Sequence, residues 1–130
     1  MAKTIKAYYI DPMNNIAEAR EITPCLDTYY DMLHCDTIDI VNRGLTNTAR
    51  RFDIICDDNG LYADNVRVSA LDHVYGPMLV GALLVVGQAD DEGNETSLTD
   101  EDVRWLTRYT EHLRTRLHPA GYRVLTHLTY

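Results

Sequence analysis

Met78-Leu79-Val80-Gly81-Ala82-Leu83-Leu84-Val85-Val86 is an almost unbroken apolar run. A strand covered on both faces carries such a run, because neither parity has to meet water. The run is therefore predicted as the centre of a sheet, with Gly81 marking a bulge or the close approach of a neighbouring element. Working back from it, Asp72 to Pro77 reads as a loop, and Val66 to Leu71 as a strand with Val66, Val68 and Ala70 inward against Arg67 and Ser69. Asp57-Asp58-Asn59-Gly60 is a turn signal, since Asn and Gly tolerate the positive φ of a tight hairpin. It is predicted to join the strand Arg51 to Cys56 to Leu61-Tyr62.

Further toward the amino end, Thr37 to Val41 alternates as a half-buried strand does, with Asn42-Arg43-Gly44 closing it. Leu26, Tyr29, Tyr30 and Leu33 keep helical spacing behind Thr23-Pro24, read as an N-cap followed by proline in the first turn, and this short helix ends near His34 and Cys35. Lys3 to Ile10 and Ile16 to Ile22 are extended in composition and flank the turn residues Asp11-Pro12-Met13-Asn14-Asn15, which predicts a hairpin.

Working forward, Ser97-Leu98-Thr99-Asp100-Glu101-Asp102-Val103 is a helix start: Thr99 as N-cap, Asp102 as its capping-box partner, Leu98 and Val103 as the staple. One amphipathic helix is predicted from Asp100 to Leu117. Val103, Leu106, Tyr109, Thr110, Leu113 and Leu117 share an arc of about 120°, and Arg104, Arg108, Glu111 and Thr115 gather elsewhere, with Trp105 at the edge of the apolar arc. Arg114, Arg116 and His118 suit the negative helix end, and Pro119-Ala120-Gly121 stops it. Tyr122 to Tyr130 is a last strand or an arm to another copy. The pattern as a whole predicts a single α+β domain over residues 1–130, a mainly antiparallel or mixed sheet with one short and one long helix packed on it.

Composition agrees with a folded domain: 130 residues, 45% hydrophobic, 25% charged, with only 7 Gly and 4 Pro. The net charge of −8 disfavours direct contact with phosphate backbones and anionic lipid. Gln88 to Asp102 holds acids and no base, whereas Val103 to Tyr130 holds arginines against Glu111 alone, so an acidic loop is expected beside a basic helix. Cys25, Cys35 and Cys56 form no CxxC pair and read as reduced, small core residues of an intracellular protein. The amino-terminal residues run straight into strand-like sequence, and no stretch reaches the length that spans a bilayer, which places the chain in the cytoplasm.

No chemistry-bearing motif stands out. Around Gly93, the acids of Asp90 to Glu95 miss calcium-loop spacing, because Gln88 and Thr99 would fall at the two ends that need carboxylates. Asp57 to Gly60 fails likewise. His34, His73, His112, His118 and His127 are scattered, and no nucleophile elbow or phosphate-binding glycine loop is present. No cofactor, metal or catalytic residue is therefore expected. Nine Tyr against one Phe is the unusual feature, and Tyr suits rims and interfaces where the ring is dry and the hydroxyl wet.

Phe52-Asp53-Ile54-Ile55-Cys56-Asp57-Asp58-Asn59-Gly60-Leu61, the Met78 to Val86 run, Asp91-Glu92-Gly93-Asn94 and Ser97 to Asp102 follow one another in an order that resembles the domain of unknown function 3846 family. There, a strand ending in a Cys-Asp-(Asp/Glu)-x-Gly turn precedes a "G-x-hydrophobic" strand, an Asp-Asp-x-Gly turn and a "Ser-Leu-Thr-Asp-Glu" helix start. The resemblance covers residues 36 to 110. Asp64-Asn65-Val66 followed by Ser69-Ala70-Leu71 corresponds to an asparagine-containing family segment, and the part after His118 extends past the usual family end. The resemblance implies a small protein of bacteria, phages or mobile elements, with an accessory role in host interaction or defence evasion and no assigned activity.

The expectation is a non-catalytic cytoplasmic binding module that acts through a protein partner, with homodimerisation open. Its candidate contact residues are Asp57, Asp58, Asp90, Asp91, Glu92, Glu95, Arg104 and Arg108. A protein that sequesters a small ligand or nucleotide among Tyr and Arg is the alternative, and an acidic DNA mimic a third.

Overall fold

The computed structural model describes residues 3–59 and 67–130. The opening hairpin forms as its turn chemistry requires, with β1 (Ile5–Asp11) against β2 (Ile16–Ile22). Helix α1 (Leu26–Leu33) follows, ending on His34 at φ 55°. Its N-cap is Cys25 and not Thr23, and no side chain caps it. Instead Thr23 O accepts the Cys25 N–H at 2.9 Å, so the chain through Pro24 stays outside the helix.

Strand β3 (Ile38–Leu45) continues through Asn42-Arg43-Gly44, which were expected to end it. Those residues pair with Asp53, Phe52 and Arg51 of β4 (Arg51–Asp57), and the turn falls later, at Thr46 to Thr48, where Thr48 hydrogen-bonds Leu45 O through N–H and hydroxyl. Leu61 and Tyr62, the expected hairpin partners of β4, lie outside the described residues, as do Gly60 and Asp64 to Val66. Both edges of β4 are in any case taken, by β3 and β7. Past the gap, β5 (Val68–Asp72) buries Ser69 together with Ala70 and Leu71, because it lies inside the sheet between β6 and β9.

The central apolar run is two strands. β6 (Pro77–Val80) pairs β5 at one margin of the sheet, whereas β7 (Leu83–Val86) lies between β1 and β4. The break is at Gly81, whose φ of 74° turns the chain from one region of the sheet to the other. β7 has the double cover its composition demands. Leu83 and Val85 enter one core with Tyr8, Ile54, Leu98 and Leu106, while Leu84 and Val86 enter a second with Tyr9, Ile55, Tyr29 and Leu33.

Helix α2 (Asp100–Arg108) starts where predicted, with Thr99 Oγ1 accepting the Asp102 N–H at 3.0 Å and Asp102 Oδ2 accepting the Thr99 N–H at 2.9 Å. It is nine residues long, not eighteen. Thr110 to Leu113 become β8, an antiparallel partner for β9 (Tyr122–Thr129), and Leu117 is exposed. The apolar arc also fits a short helix followed by a strand, and pairing with β9 takes backbone groups that further helix would have used. The basic residues Arg114 and Arg116 consequently sit on no helix end. The strand order is β2-β1-β7-β4-β3-β9-β5-β6, with β8 on β9, antiparallel except for β5 with β9. The architecture is α+β on one mixed sheet. No described helix is long and apolar enough to cross a membrane.

Of the three cysteines, only Cys56 is a core residue. Cys35 is half-buried, and Cys25 is exposed at the start of α1, a position set by the extended Thr23-Pro24 approach. All three are free thiols.

Candidate functional site

Tertiary ion pairs hold the first turn of α2 to the sheet. Lys6 of β1 pairs with Asp100, while Arg50, just before β4, reaches both Glu101 (2.9 Å) and Asp102. Lys6 and Asp100 shift each other by hydrogen bond and charge, the ammonium upward and the carboxyl downward. With the helix fixed this way, Leu106 is fully buried and Trp105 only half.

Trp105 is the centre of a ledge. The Arg108 guanidinium lies 4.9 Å from its ring centroid and that of Arg50 5.9 Å, within the range of cation–π attraction. Arg104 joins Arg108, Trp105 and Glu101 around an open cleft of about 250 Å³. Among the described residues neither Arg104 nor Arg108 has an ion-pair partner, whereas Arg50 has two. The aromatic surface continues from Trp105 to Tyr109 (5.9 Å), to His127 stacked on Tyr109 (5.1 Å, 23°), and to Tyr75 edge-on to His127 (5.9 Å).

Under this row, Glu111 accepts from the Tyr75 hydroxyl (3.1 Å) and the Thr126 hydroxyl (2.7 Å), with His127 Nδ1 at 3.6 Å. The Thr126, His127 and Glu111 contacts have the form of a nucleophile–base–acid set, yet Thr126 is wholly buried and its hydroxyl also lies 2.9 Å from Tyr109 O. A substrate has no path to it, and the group works as a clasp between the β5–β6 turn, β8 and β9. Tyr75 and His127 both take φ of 62°. At His127 the reason is visible: β9 passes there from β8 to β3, and His127 O receives the Thr46 N–H at 2.8 Å. The sequence reading missed this cluster, because apart from the adjacent Thr126 and His127 its partners lie 15 to 52 residues apart and leave no local spacing; the abundance of Tyr was the one signal.

The acidic candidates divide into two groups at opposite ends of β4. Asp57 is the last residue of β4 and Asp58 follows it, and Asp57 Oδ1 accepts the Asn59 N–H at 2.9 Å. Asp57 lines an open hollow of about 530 Å³ with Asp31, His34 and Asp36. Asp90, Asp91, Glu92 and Glu95 lie at the other end, where Ala89 N–H reaches Asp53 Oδ2 at 2.8 Å. Asp90 is committed to its own turn, accepting from Glu92 and Asn94 N–H, while Asp91 and Glu92 are free in solvent. Glu95 stands near the buried Tyr29 hydroxyl, and burial together with that carboxylate pushes the phenol far above its ordinary range. This loop leads through Thr96 to Thr99 into α2, but among the described residues no contact joins its acids to Arg104 or Arg108, and Glu95 stands with Tyr29 at the other core from the one that α2 covers.

One buried carboxylate escaped notice. Asp11, 1% exposed, accepts from Met13 N–H (3.1 Å) and Asn14 Nδ2 (2.7 Å), and His34 Nε2 stands 3.5 Å away. Burial alone would raise its pKa, but the hydrogen bonds from Asn14, His34 and Met13 outweigh it and hold the carboxyl below its usual value. Tyr9 donates to Met32 O (2.6 Å) beside it and is pushed up to about 12, by burial first and by the Asp11 charge second. These contacts tie the hairpin turn to the end of α1. Among the described residues no group of three His, Cys, Asp or Glu is arranged to hold a metal ion.

No curated protein and no solved structure matches the chain. The family model of a domain of unknown function, DUF3846, matches residues 5–114, from β1 through β8, and β9 lies beyond it. With most of its length inside that match, the chain belongs to the DUF3846 family.

Proposed function

We propose that the protein is a non-catalytic binding module of the cytoplasm, serving a phage or mobile element by holding a protein partner. The observation that carries this reading is the ledge of α2, where Arg104 and Arg108, free of ion pairs among the described residues, flank a half-exposed Trp105. Trp and Arg are the residue types that most often dominate binding energy at protein interfaces. In a chain of net charge −8, two arginines without ion-pair partners among the described residues, Arg108 over the Trp105 ring and Arg104 beside it in the same cleft, favour acidic groups on the partner at that point. Asp91 and Glu92, exposed on the loop that precedes the same helix, favour basic groups where a partner meets that loop. The hollows along the surface are open, which suits a broad contact better than an enclosed small molecule.

Capture from host lysate at low salt tests the reading. The wild-type chain is expected to retain a protein that the Trp105→Ala and Arg104→Glu/Arg108→Glu variants lose while their circular dichroism stays that of the folded chain. Should Trp105→Ala lower the melting temperature, since Trp105 also packs on the core, the exposed arginine pair decides. Loss of a central Trp should weaken binding by about 2 kcal/mol or more. A wild-type chain that retains nothing, or variants that retain the same protein equally well, would overturn it.

A further inference from the structure

The sheet guards its margins unequally. β6 is four residues long, opens on Pro77 and meets β5 in an irregular register; β8 is also four residues. Shortness, proline and irregularity are the usual means of keeping an edge from pairing with another chain. β2 has none of them. It runs seven residues in unbroken register with β1, its charges are of both signs, and among the described residues no strand takes its outer edge.

The backbone groups on that edge follow from β1. The Lys6 N–H donates to Ser97 Oγ and Lys6 O accepts from Leu98 N–H, each at 2.9 Å, so Lys6 directs its peptide groups away from β2. By strand alternation Ile5, Ala7, Tyr9 and Asp11 bond to β2, through their partners Ile22, Arg20, Glu18 and Ile16. The N–H and C=O groups of Ala17, Ala19 and Glu21 therefore point outward. The Ala17 carbonyl points the same way and is met at 3.4 Å by Arg123 Nη1, a side-chain contact that a partner strand has to displace, whereas Ala19 and Glu21 are exposed.

We propose that this edge pairs with β2 of a second copy, antiparallel about a two-fold axis centred on Ala19 opposite Ala19. In that register Glu18 faces the partner's Arg20 and Arg20 the partner's Glu18, while Ile16 and Ile22 face each other across both ends. The neighbouring two-fold registers fail on charge. Centring on residue 18 sets Glu18 against Glu18, centring on residue 20 sets Arg20 against Arg20, and like charges directly opposite destabilise a sheet. Centring on 17 or 21 leaves only three residues of β2 in the shared ladder. The outward groups of Ala19 also require the central pair to be a hydrogen-bonded one, as this register makes it. The two sheets then join into one with a closed, isologous interface. The inference uses no residue of the α2 ledge and stands apart from the binding reading above.

Sedimentation equilibrium of the full chain is the test. The wild type is expected to be a dimer, and Ala19→Pro a folded monomer, since proline is tolerated on an edge strand and removes only an outward donor. Glu18→Arg alone and Arg20→Glu alone should each weaken self-association by about tenfold or more, from two attractive cross-strand pairs made repulsive. Mixed together, those two variants should form a heterodimer, and the double variant Glu18→Arg/Arg20→Glu should dimerise again. A wild type that stays monomeric at high concentration, a dimer indifferent to the single charge changes, or a mixture that fails to pair would each overturn the proposal. Should Ala19→Pro not fold, the charge exchange decides alone.

Discussion

Asp11 concentrates several functions in one side chain. Its carboxylate caps the hairpin turn through Met13 and Asn14, stands beside the buried Tyr9 and anchors His34 at the end of α1. Because its pKa is lower folded than the roughly 3.9 of an unfolded Asp, it adds stability that is complete above that value and is lost as pH falls through the folded pKa. Asp11→Asn keeps the shape but turns an amide NH₂ toward the Asn14 donor, at a cost of about 1–3 kcal/mol at neutral pH. Urea unfolding should show that cost shrinking as pH is lowered below about 4, where the unfolded chain takes up its proton, and levelling off once pH passes below the lower folded pKa. A difference that stays constant from neutral to acid pH would mean the carboxylate charge contributes nothing. The turn itself was legible in Asp11-Pro12-Met13-Asn14-Asn15, but the burial of the acid was not. It depends on α1 returning over the hairpin, which no local pattern encodes.

Among the elements, those with a local chemical signature were legible. The capping box at Thr99 and Asp102, the hairpin of β1 and β2 and the double burial of β7 all follow from adjacent residues. What failed was continuity. A helical arc that ran on to Leu117 stops at Arg108 because β9 supplies a partner for Thr110 to Leu113, and an apolar run became two strands at Gly81. The two glycines bracketing β7 should therefore respond differently to alanine. At Gly81 an added Cβ would touch nothing within 4 Å, so Gly81→Ala costs only the left-handed backbone, about 1–2 kcal/mol. At Gly87 the Cβ would collide with Thr96 Oγ1 and press on the Thr96 and Ser97 carbonyls at 3.1 Å, displacing the segment that leads to α2. Gly87→Ala should thus be the more destabilising in chemical denaturation, and the opposite ranking would refute this account of the two sites.

At the scale of the whole molecule, stability should be graded along the sheet. β1, β7 and β4 lie between two cores, and Leu83, Leu84, Val85 and Val86 have no exposure at all. β6 and β8 each hold only partly buried or exposed residues, and each is bonded on one side among the described residues. Amide protection follows such differences, because regions with few buried contacts open without global unfolding. Hydrogen exchange should find the slowest amides in β7, β4 and β1, at the global unfolding free energy, and the fastest strand amides in β6 and β8. β9 tests the clasp of Glu111, His127 and Thr126. It joins β3, β5 and β8, so if those contacts make it part of the main cooperative unit, Glu111→Ala should speed exchange in β8, β9 and the turn around Tyr75 while leaving β7 unchanged. A uniform rise over every strand would instead make the molecule a single all-or-none unit in which the far half of the sheet has no separate hold.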